Sequence, residues 1–260
     1  MTIGGEAGPA LSVVLPAYEE EGRIGPSIDR LRRELPVPGD VEIVVVDDGS
    51  RDQTVEAARL AGADQVLSLP ANQGKGAAVR AGMLTARGRA RAFTDADLAY
   101  PPAQLLRLLA QVEAGWDVVI GSRRHVDTTT LVRARRVREV SGRLFNLASR
   151  VVLLHRYLDT QCGLKAFAGD VAQVVFAQAR VDGFAFDVEL LYLAQLYGLT
   201  LKEVPVELAN TGTSSVRLLR DAPLMARDLL RIRRWAGAGA YDLTPEERAV
   251  LDGRRRRRAQ

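Results

Sequence analysis

The chain has 260 residues, of which 47% are hydrophobic and 26% charged, and these fractions are typical of a folded globular protein. Its single cysteine, Cys162, excludes an internal disulfide, and only two histidines argue against a histidine-rich zinc site. The segment from Arg217 to Gln260 contains 12 arginines and six acidic residues, whereas the net charge of the rest of the chain is −2. The basic character therefore belongs to the C-terminal segment.

Membrane and export signals are absent from the sequence pattern. No uninterrupted apolar run approaches the ~20 residues of a membrane-spanning helix. The first ten residues lack the basic and apolar regions of a signal peptide. The sequence therefore predicts a cytoplasmic protein that is not secreted and has no transmembrane helix.

The first half of the chain alternates short apolar runs with helical segments. LSVVLP (11–16), VEIVVVDD (41–48), QVLSL, ARAFTDAD and DVVIGS are predicted strands, and 19–35, 54–61, 76–86 and 102–114 are predicted helices. This rhythm predicts an α/β fold with a mainly parallel sheet flanked by helices. Because ligands bind beyond the carboxyl ends of such strands, the residues that follow each strand are the candidates for function.

The second half begins with a basic amphipathic helix candidate at 132–154. LKAF is a predicted strand, 169–179 and 186–198 are predicted helices, and Pro205 places the strand LTLKEVPVEL at a sheet edge. We expect a single domain over 11–215, preceded by a disordered N-terminus (1–10). An amphipathic basic helix (216–236) and a basic C-terminal tail (237–260) follow it, and the last residues are either a solvated disordered end or an anion-seeking one.

Two acidic residues, Asp47 and Asp48, follow the second predicted strand. The segment DDGS fits a turn that caps a helix, with Ser50 or Asp52 accepting backbone N–H groups. That interpretation does not explain two carboxylates at the end of an apolar strand, since buried unpaired charge is costly. Hydrogen bonding to a base or ribose is the alternative, and the segment by itself leaves both open.

The segment NQGKGAAVRAG has glycines on both sides of Lys75 at the start of a predicted helix. It does not match the Walker pattern. Backbone N–H groups and an ammonium at this place would suit a diphosphate. An ordinary loop with a surface lysine explains the same residues.

Asp95 and Asp97 end the fourth predicted strand, separated by one small residue. In extended backbone the two carboxylates point to the same face. Their mutual repulsion would be relieved by a divalent cation, and hard oxygen ligands suit Mg²⁺ or Mn²⁺. A solvated turn before Pro101 is the alternative.

These segments, taken together, carry a family resemblance. PAYEEEGRI, VVDDGSRDQT, NQGKGAAVRAG, TDADLAYPP and VIGSR, in this order and spacing, resemble family 2 glycosyltransferases of the GT-A fold. DTQCGLKAF and GFAFDVELLYLA resemble the polyprenyl-phosphate branch, most closely dolichyl-phosphate β-glucosyltransferases and next dolichyl-phosphate mannose synthases. The resemblance spans Leu11 to Leu208.

The resemblance implies a role for each matching residue. The nucleoside pocket would be formed by Pro16, Tyr18, Glu20 and Asp47, and the same donor cleft would contain Asp48 and Lys75. The metal would be bound by Asp95 and Asp97. Phosphates would be bound by Arg123, Arg138 and Ser141. Mannose synthases have a metal-binding glutamine where this chain has Ala99. A third protein ligand is therefore not expected there.

For several other residues of the second half, a structural role is an alternative to a role in the site. Cys162 is expected to be a packing residue, because no histidine lies near it in sequence. Asp187 and Glu189 fit a pair at a helix N-terminus, although the resemblance places Asp187 in the cleft. The arginines between 133 and 143 form either a solvated face or an anion site.

The resemblance implies transfer of glucose from UDP-glucose to a polyprenyl phosphate with inversion. An ionised phosphate needs positioning more than a general base, so the arginines suit the acceptor better than Asp187 does. GDP-mannose as donor, or a soluble acceptor, remains open. A non-enzymatic nucleic-acid-binding protein is the remote alternative, against which the 5% aromatic content speaks.

A polyprenyl acceptor requires contact with a membrane. Leucines, Met225, Ile232 and Trp235 alternate with arginines in 216–236, a pattern typical of an interfacial helix. Arg254 to Arg258 would add attraction to anionic lipid at the inner face. Packing of the same apolar residues on the catalytic domain is the other interpretation.

Overall fold

The structure, a computed structural model, describes residues 8–35, 41–123, 128–130, 162–208 and 218–259. The described strands are β1 (Leu11–Ala17), β2 (Val41–Asp47), β3 (Gln65–Ser68), β4 (Ala90–Phe93), β5 (Val118–Ser122), β6 (Thr129–Thr130), β7 (Lys165–Ala168), β8 (Leu201–Pro205) and β9 (Glu207–Leu208). The described helices are α1 (Glu21–Glu34), α2 (Thr54–Leu60), α3 (Lys75–Thr85), α4 (Ala103–Glu113), α5 (Gly169–Gln178), α6 (Phe186–Leu196), α7 (Leu218–Gly237) and α8 (Pro245–Ala259).

Seven of these strands form one sheet in the order β3-β2-β1-β4-β7-β5-β8. All neighbours are parallel except β7, which runs antiparallel to both β4 and β5. The strands β6 and β9 pair separately. The mainly parallel sheet is confirmed, and so is the edge position predicted for the strand that contains Pro205.

The central strands are apolar on both faces because helices cover both. Val13, Val14, Val44 and Val45 have no exposed surface. Helix α3 approaches the sheet closely at Gly82, where an added Cβ would lie 2.4 Å from a methyl group of Val14. This close approach packs the second half of α3 directly against β1 and β2.

The carboxyl edge of the sheet gathers the loops that the sequence singled out. The loops that follow β1, β2, β4 and β5 all leave at this edge, because these strands are parallel. Strand β7 runs the other way, so its beginning, Gly163 to Lys165, also lies at this edge. The antiparallel strand thus adds a segment to the site that strand order alone does not reveal.

Helix α7 packs its apolar side on the domain. Met225, Leu229 and Ile232 are buried, whereas Leu224 and Leu230 are exposed. The packing interpretation is therefore correct for the first three residues. The outward face of the helix remains available for another contact.

The C-terminal residues 245–259 are not a disordered end, since they form helix α8. Arg254 pairs with Asp117 at 2.5 Å and with Asp170 at 3.2 Å, and Arg258 pairs with Asp117 at 2.8 Å. The expectation of a disordered end is therefore wrong for these residues, although the side chains of Arg255 to Arg258 are exposed.

Several predicted features lie outside the described residues. They include the N-terminal residues 1–7, the basic helix candidate at 132–154, Arg138 and Ser141. In the part of the chain that the structure describes, no helix is both long and apolar enough to cross a membrane.

Candidate active site at the carboxyl edge of the sheet

Asp47 and Asp48 are both buried, and each organises a loop. Asp47 accepts hydrogen bonds from the Ser50 N–H at 3.1 Å and from the Ser68 hydroxyl at 2.9 Å. Asp48 accepts from the N–H groups of Gln73 and Gly74, both at 2.8 Å. Burial raises the pKa of Asp48, and the neighbouring charge of Asp47 adds to that effect. The two carboxylates therefore have structural partners already.

The turn after β2 also fixes the loop after β1. The Ser50 hydroxyl accepts the Glu19 N–H at 2.8 Å, and Asp52 accepts the N–H of Thr54 at 3.0 Å, at the start of α2. This confirms the capping interpretation of the DDGS segment. The side chain of Tyr18 is 41% exposed at this edge, and Glu19 has a φ of +53°, a strained value for a residue with a side chain.

Pro16 and Glu20 lie in the same β1–α1 connection. Pro16 is half-buried near the end of β1, and the Glu20 carboxylate pairs with Arg23 at 3.1 Å. The structure therefore brings Pro16, Tyr18 and Glu20 to the edge where Asp47 ends β2. Their contact with a nucleoside stays a prediction.

The loop before α3 does not offer free backbone N–H groups at its glycines. Gly76 donates to the Asp182 carbonyl at 2.7 Å, and Gly74 donates to Asp48. Gly74 has a φ of +112° and packs so closely that an added Cβ would lie 2.5 Å from the Asp182 oxygen. The expectation that the backbone N–H groups receive a diphosphate is therefore wrong for Gly74 and Gly76, whereas the Lys75 ammonium remains as an anion contact.

Lys75 reaches across the edge to Asp95, with which it forms an ion pair. Burial alone would lower the pKa of the Lys75 ammonium, but the carboxylates of Asp95 and Asp187 outweigh it and raise that pKa above its ordinary value. Lys75 therefore stays charged and links the loop before α3 to the aspartate pair after β4.

Asp95 and Asp97 lie in a tight turn that follows β4. The Leu98 N–H donates to the Asp95 carbonyl at 3.0 Å, and Leu98 has a φ of +45°. The Asp97 carboxylate accepts the Ala99 N–H at 3.0 Å through one oxygen. Burial and the nearby charge of Asp95 raise the pKa of Asp97. The turn thus holds two carboxylates together at an energetic cost.

This pair fits a divalent cation. Its oxygens are hard ligands, and its mutual repulsion is what a cation would relieve. Among the described residues, the second oxygen of Asp97 accepts no hydrogen bond, and no group of three or more His, Cys, Asp or Glu side chains is placed to hold a metal ion. A metal bound here would take its other ligands from water or a diphosphate.

Asp187 lies in the first turn of α6 and is buried against Lys165, a residue for which the sequence pattern predicts no role. The Lys165 ammonium donates to Asp187 at 2.6 Å and to the Cys162 carbonyl at 2.7 Å. Burial raises the pKa of Asp187, while Lys165 and Lys75 oppose that change. A charged residue at the start of a buried strand was the signal that could have revealed Lys165.

Glu189 and Cys162 have structural roles. Glu189 accepts the Val181 N–H at 2.8 Å and the Tyr241 hydroxyl at 2.6 Å, which shapes the loop whose Asp182 carbonyl caps α3. Cys162 is fully buried, as its packing role predicts. Arg123 is exposed beyond the end of β5, and Arg138 and Ser141 lie outside the described residues.

Gly163 gives the Asp95 carboxylate its place. A Cβ added at Gly163 would lie 2.5 Å from the Asp95 Oδ2 atom, so the side chain of Asp95 would have to move. We expect Gly163→Ala to lower kcat about tenfold by displacing one carboxylate of the pair. Melting curves should be nearly unchanged, because the displaced group is the end of a side chain. Gly22→Ala, where nothing lies within 4 Å, is the control. Unaltered kcat in Gly163→Ala would contradict this role.

A mainly parallel sheet with a lysine and an Asp-x-Asp pair at its carboxyl edge fits the class of nucleotide-sugar transferases. The family model described as glycosyl transferase family 2 matches residues 12–172. The chain therefore belongs to glycosyltransferase family 2 and has the GT-A fold.

Two relatives extend this likeness over most of the chain. The dolichyl-phosphate beta-glucosyltransferase of Drosophila melanogaster is 36% identical over 240 residues, which cover 85% of this chain and 74% of the relative. The Homo sapiens protein of the same name is 32% identical over 251 residues, covering 90% of this chain and 78% of the relative.

Among solved structures, the glucosyl-3-phosphoglycerate synthase of Mycobacterium tuberculosis in complex with uridine diphosphate is similar. Its TM-score is 0.63 at 26% identity, covering 87% of this chain and 79% of that chain. The same synthase has been crystallised with Mn²⁺, UDP-glucose and phosphoglyceric acid. That structure has a TM-score of 0.64 at 24% identity, covers 88% of this chain and 79% of that chain, and shows likeness of fold.

Proposed function

We propose that the chain transfers glucose from UDP-glucose to a polyprenyl phosphate of the dolichyl type, with inversion at the anomeric carbon. The observation that carries the proposal is the likeness to the dolichyl-phosphate beta-glucosyltransferase of Drosophila melanogaster, which is 36% identical over 85% of this chain. The acceptor is a phosphate on a lipid, and the product is a β-linked glucosyl phosphate.

The reaction needs no strong base from the protein. An acceptor phosphate oxygen attacks the anomeric carbon, the bond from that carbon to the donor diphosphate breaks, and UDP leaves. A phosphate monoester has a second pKa of about 6, so its oxygen is already ionised near neutral pH. The protein has to hold the two anions in line and compensate their charge.

The residues of the carboxyl edge divide this work. Pro16, Tyr18, Glu20 and Asp47 would contact the nucleoside, and Asp48 would hold the loop that presents Lys75. The Lys75 ammonium lies at the aspartate pair and would compensate charge on the diphosphate. Arg123 and Arg138 would bind acceptor phosphate, for which guanidinium groups are well shaped.

Asp95 and Asp97 would hold Mg²⁺ or Mn²⁺. When bound, the ion supplies Lewis-acid stabilisation of the charge on the leaving diphosphate. Solved structures of the Mycobacterium tuberculosis synthase contain Mn²⁺ or Mg²⁺ with UDP, which supports a divalent cation in this fold.

Mass spectrometry of the lipid phase tests the proposal. The chain is incubated with glucose-labelled UDP-glucose, a polyprenyl phosphate and Mn²⁺, and the expected product is a labelled polyprenyl phosphate glucose. Parallel reactions with GDP-mannose and UDP-GlcNAc measure donor choice. Labelled lipid from GDP-mannose alone would overturn the assignment of the donor.

A soluble phosphorylated acid is the second candidate acceptor. A structure of the Mycobacterium tuberculosis synthase with phosphoglyceric acid, 25% identical to this chain with a TM-score of 0.62, favours it. Adding 3-phosphoglycerate to the same incubation separates the two acceptors. Label in the aqueous product and none in the lipid phase would favour the soluble acceptor.

A lipid acceptor would bring the outer face of α7 to the surface of a membrane. Leu230 is 65% exposed and Leu224 is 43% exposed, with Arg227, Arg231 and Arg234 exposed around them. Helical spacing places Leu224 and Leu230 on either side of these arginines. Exposed leucines that flank arginines fit the interface of an anionic bilayer at the cytoplasmic inner face. The arginines of α8 contribute less than the sequence predicts, because Arg254 and Arg258 are paired with Asp117.

We expect Leu230→Ser to weaken binding to vesicles of anionic phospholipid about fivefold, since roughly 1 kcal/mol of apolar contact is lost. Co-sedimentation at physiological salt measures the effect. Leu60→Ser is the matched control, because Leu60 is 80% exposed on α2. Equal losses in the two variants, or none in Leu230→Ser, would remove α7 from the contact with lipid.

A further inference from the structure

Lysine is rare in this chain, and its placement is informative. Of 36 basic residues, only Lys75, Lys165 and Lys202 are lysines. Two of these three, Lys75 and Lys165, belong to the charged cluster at the carboxyl edge. Apart from Lys202, arginine serves at every other basic position, so this cluster holds two of the three compact ammonium groups of the chain.

Lys165 is sealed inside the protein. It begins β7 between Phe93 of β4 and Ile120 of β5, and it has no exposed surface. Its ammonium lies 5.7 Å from the centre of the Phe93 ring. A buried side chain at this place does not touch a substrate, so any effect on the reaction passes through Asp187.

The charged groups of this cluster interact through two ion pairs and one further attraction. Lys165 pairs with Asp187, Lys75 pairs with Asp95, and the Asp187 carboxylate also attracts Lys75. With Asp97, three carboxylates face two ammonium groups, so the cluster carries one excess negative charge. Removing the Lys165 ammonium leaves the buried Asp187 carboxylate without its partner, which is costly.

We propose that Lys165 is a positioning residue: by neutralising Asp187, it leaves the Lys75 ammonium at Asp95, where the donor diphosphate binds. Without Lys165, the ammonium that attracts Asp187 is that of Lys75. Lys75 would then turn toward Asp187 and away from the donor. The inference rests on the proposed donor site and is independent of the acceptor.

A double-mutant cycle tests this dependence, with the affinity for UDP in Mn²⁺ measured by calorimetry. Lys165→Met is expected to weaken UDP binding about 10- to 100-fold, the value of one charge-assisted contact. Lys75→Met should weaken it to the same degree. In the Lys75→Met background, Lys165→Met should cause no further loss, because Lys165 acts through Lys75. A structural role alone would add its own loss, and additive losses overturn the proposal.

A second variant guards against failure to fold. Lys165→Met with Asp187→Asn removes both charges of the buried pair, so Lys75 has no reason to leave Asp95. This double variant should recover UDP affinity relative to Lys165→Met alone, and its failure to do so would overturn the proposal. Lys202→Met, an exposed lysine over the Trp116 ring, is the control for loss of a lysine. A wild-type chain that binds GDP instead of UDP counts against the proposed donor, and the cycle is then read with GDP.

Discussion

The variant Asp97→Asn is expected to lose glycosyl transfer almost completely while keeping its fold. The change removes one of two adjacent anionic ligands, and the loss of one preorganised electrostatic group lowers kcat about 100-fold or more. Volume and one hydrogen-bond acceptor are retained, so the turn after β4 should persist. Transfer from UDP-glucose at saturating Mn²⁺ measures the effect.

Stability gives the same experiment a second readout. Burial and the charge of Asp95 raise the pKa of Asp97, so ionisation of this carboxyl costs more free energy in the folded protein than in the unfolded chain. Removing the charge should therefore leave the melting temperature equal or higher. Asp29→Asn, on the exposed side of α1, is the control for the same substitution. Wild-type kcat in Asp97→Asn, or a large fall in melting temperature, would contradict the metal assignment.

The largest expected effect on stability belongs to Asp117, at the base of β5. It is 3% exposed and accepts hydrogen bonds from Arg254, Arg258 and the Thr200 N–H. Asp117→Asn leaves the partly buried Arg254 with a weaker partner, and breaking one side of a buried ion pair costs about 3 kcal/mol. A fall in melting temperature of about 10 °C at pH 7 is expected for a chain of this size.

The pH dependence of that difference has a definite sign. Burial opposes ionisation, but hydrogen bonds from Thr200 and Arg254 outweigh it and hold the pKa of Asp117 below its ordinary value. The stabilisation is therefore present above the unfolded pKa of about 3.9 and is lost as the pH falls through the lower folded value. The gap in melting temperature between wild type and Asp117→Asn should narrow below about pH 4.

A matched control, Asp252, lies on α8, the helix that carries Arg254. Asp252 pairs with Arg255 at 2.9 Å, but both side chains are nearly half exposed, so Asp252→Asn should change stability little. If Asp117→Asn melts like the wild type, α8 does not depend on this ion pair for its place on the domain.

The sequence predicted the elements of the sheet well, because buried parallel strands are apolar along their whole length. It also placed the aspartates, since a carboxylate at the end of such a strand is conspicuous. The hydrogen bond from the Thr54 N–H to Asp52 could be predicted locally, because it joins near neighbours in the chain. The bond from the Glu19 N–H to Ser50 could not, because it spans 31 residues. The roles of Arg138 and Ser141 remain predictions, as these residues lie outside the described ranges.

Long-range contacts decided the rest. The Asp182 carbonyl accepts a hydrogen bond from the Gly76 N–H, which lies 106 residues away in sequence, and no local pattern predicts that contact. The sequence likewise predicts a solvated or anion-seeking C-terminus, because the partners of its arginines, Asp117 and Asp170, lie far back in the chain.

Fold class, family and the acidic pair after β4 thus follow from the sequence by itself, since each depends on residue type and near spacing. Only the tertiary structure decided that β7 enters the sheet antiparallel, between β4 and β5. That reversal brings Gly163 against Asp95 and buries Lys165 beside Asp187. The physical reason is that strand order and direction depend on the packing of the whole sheet, whereas apolar runs and strand ends are local properties.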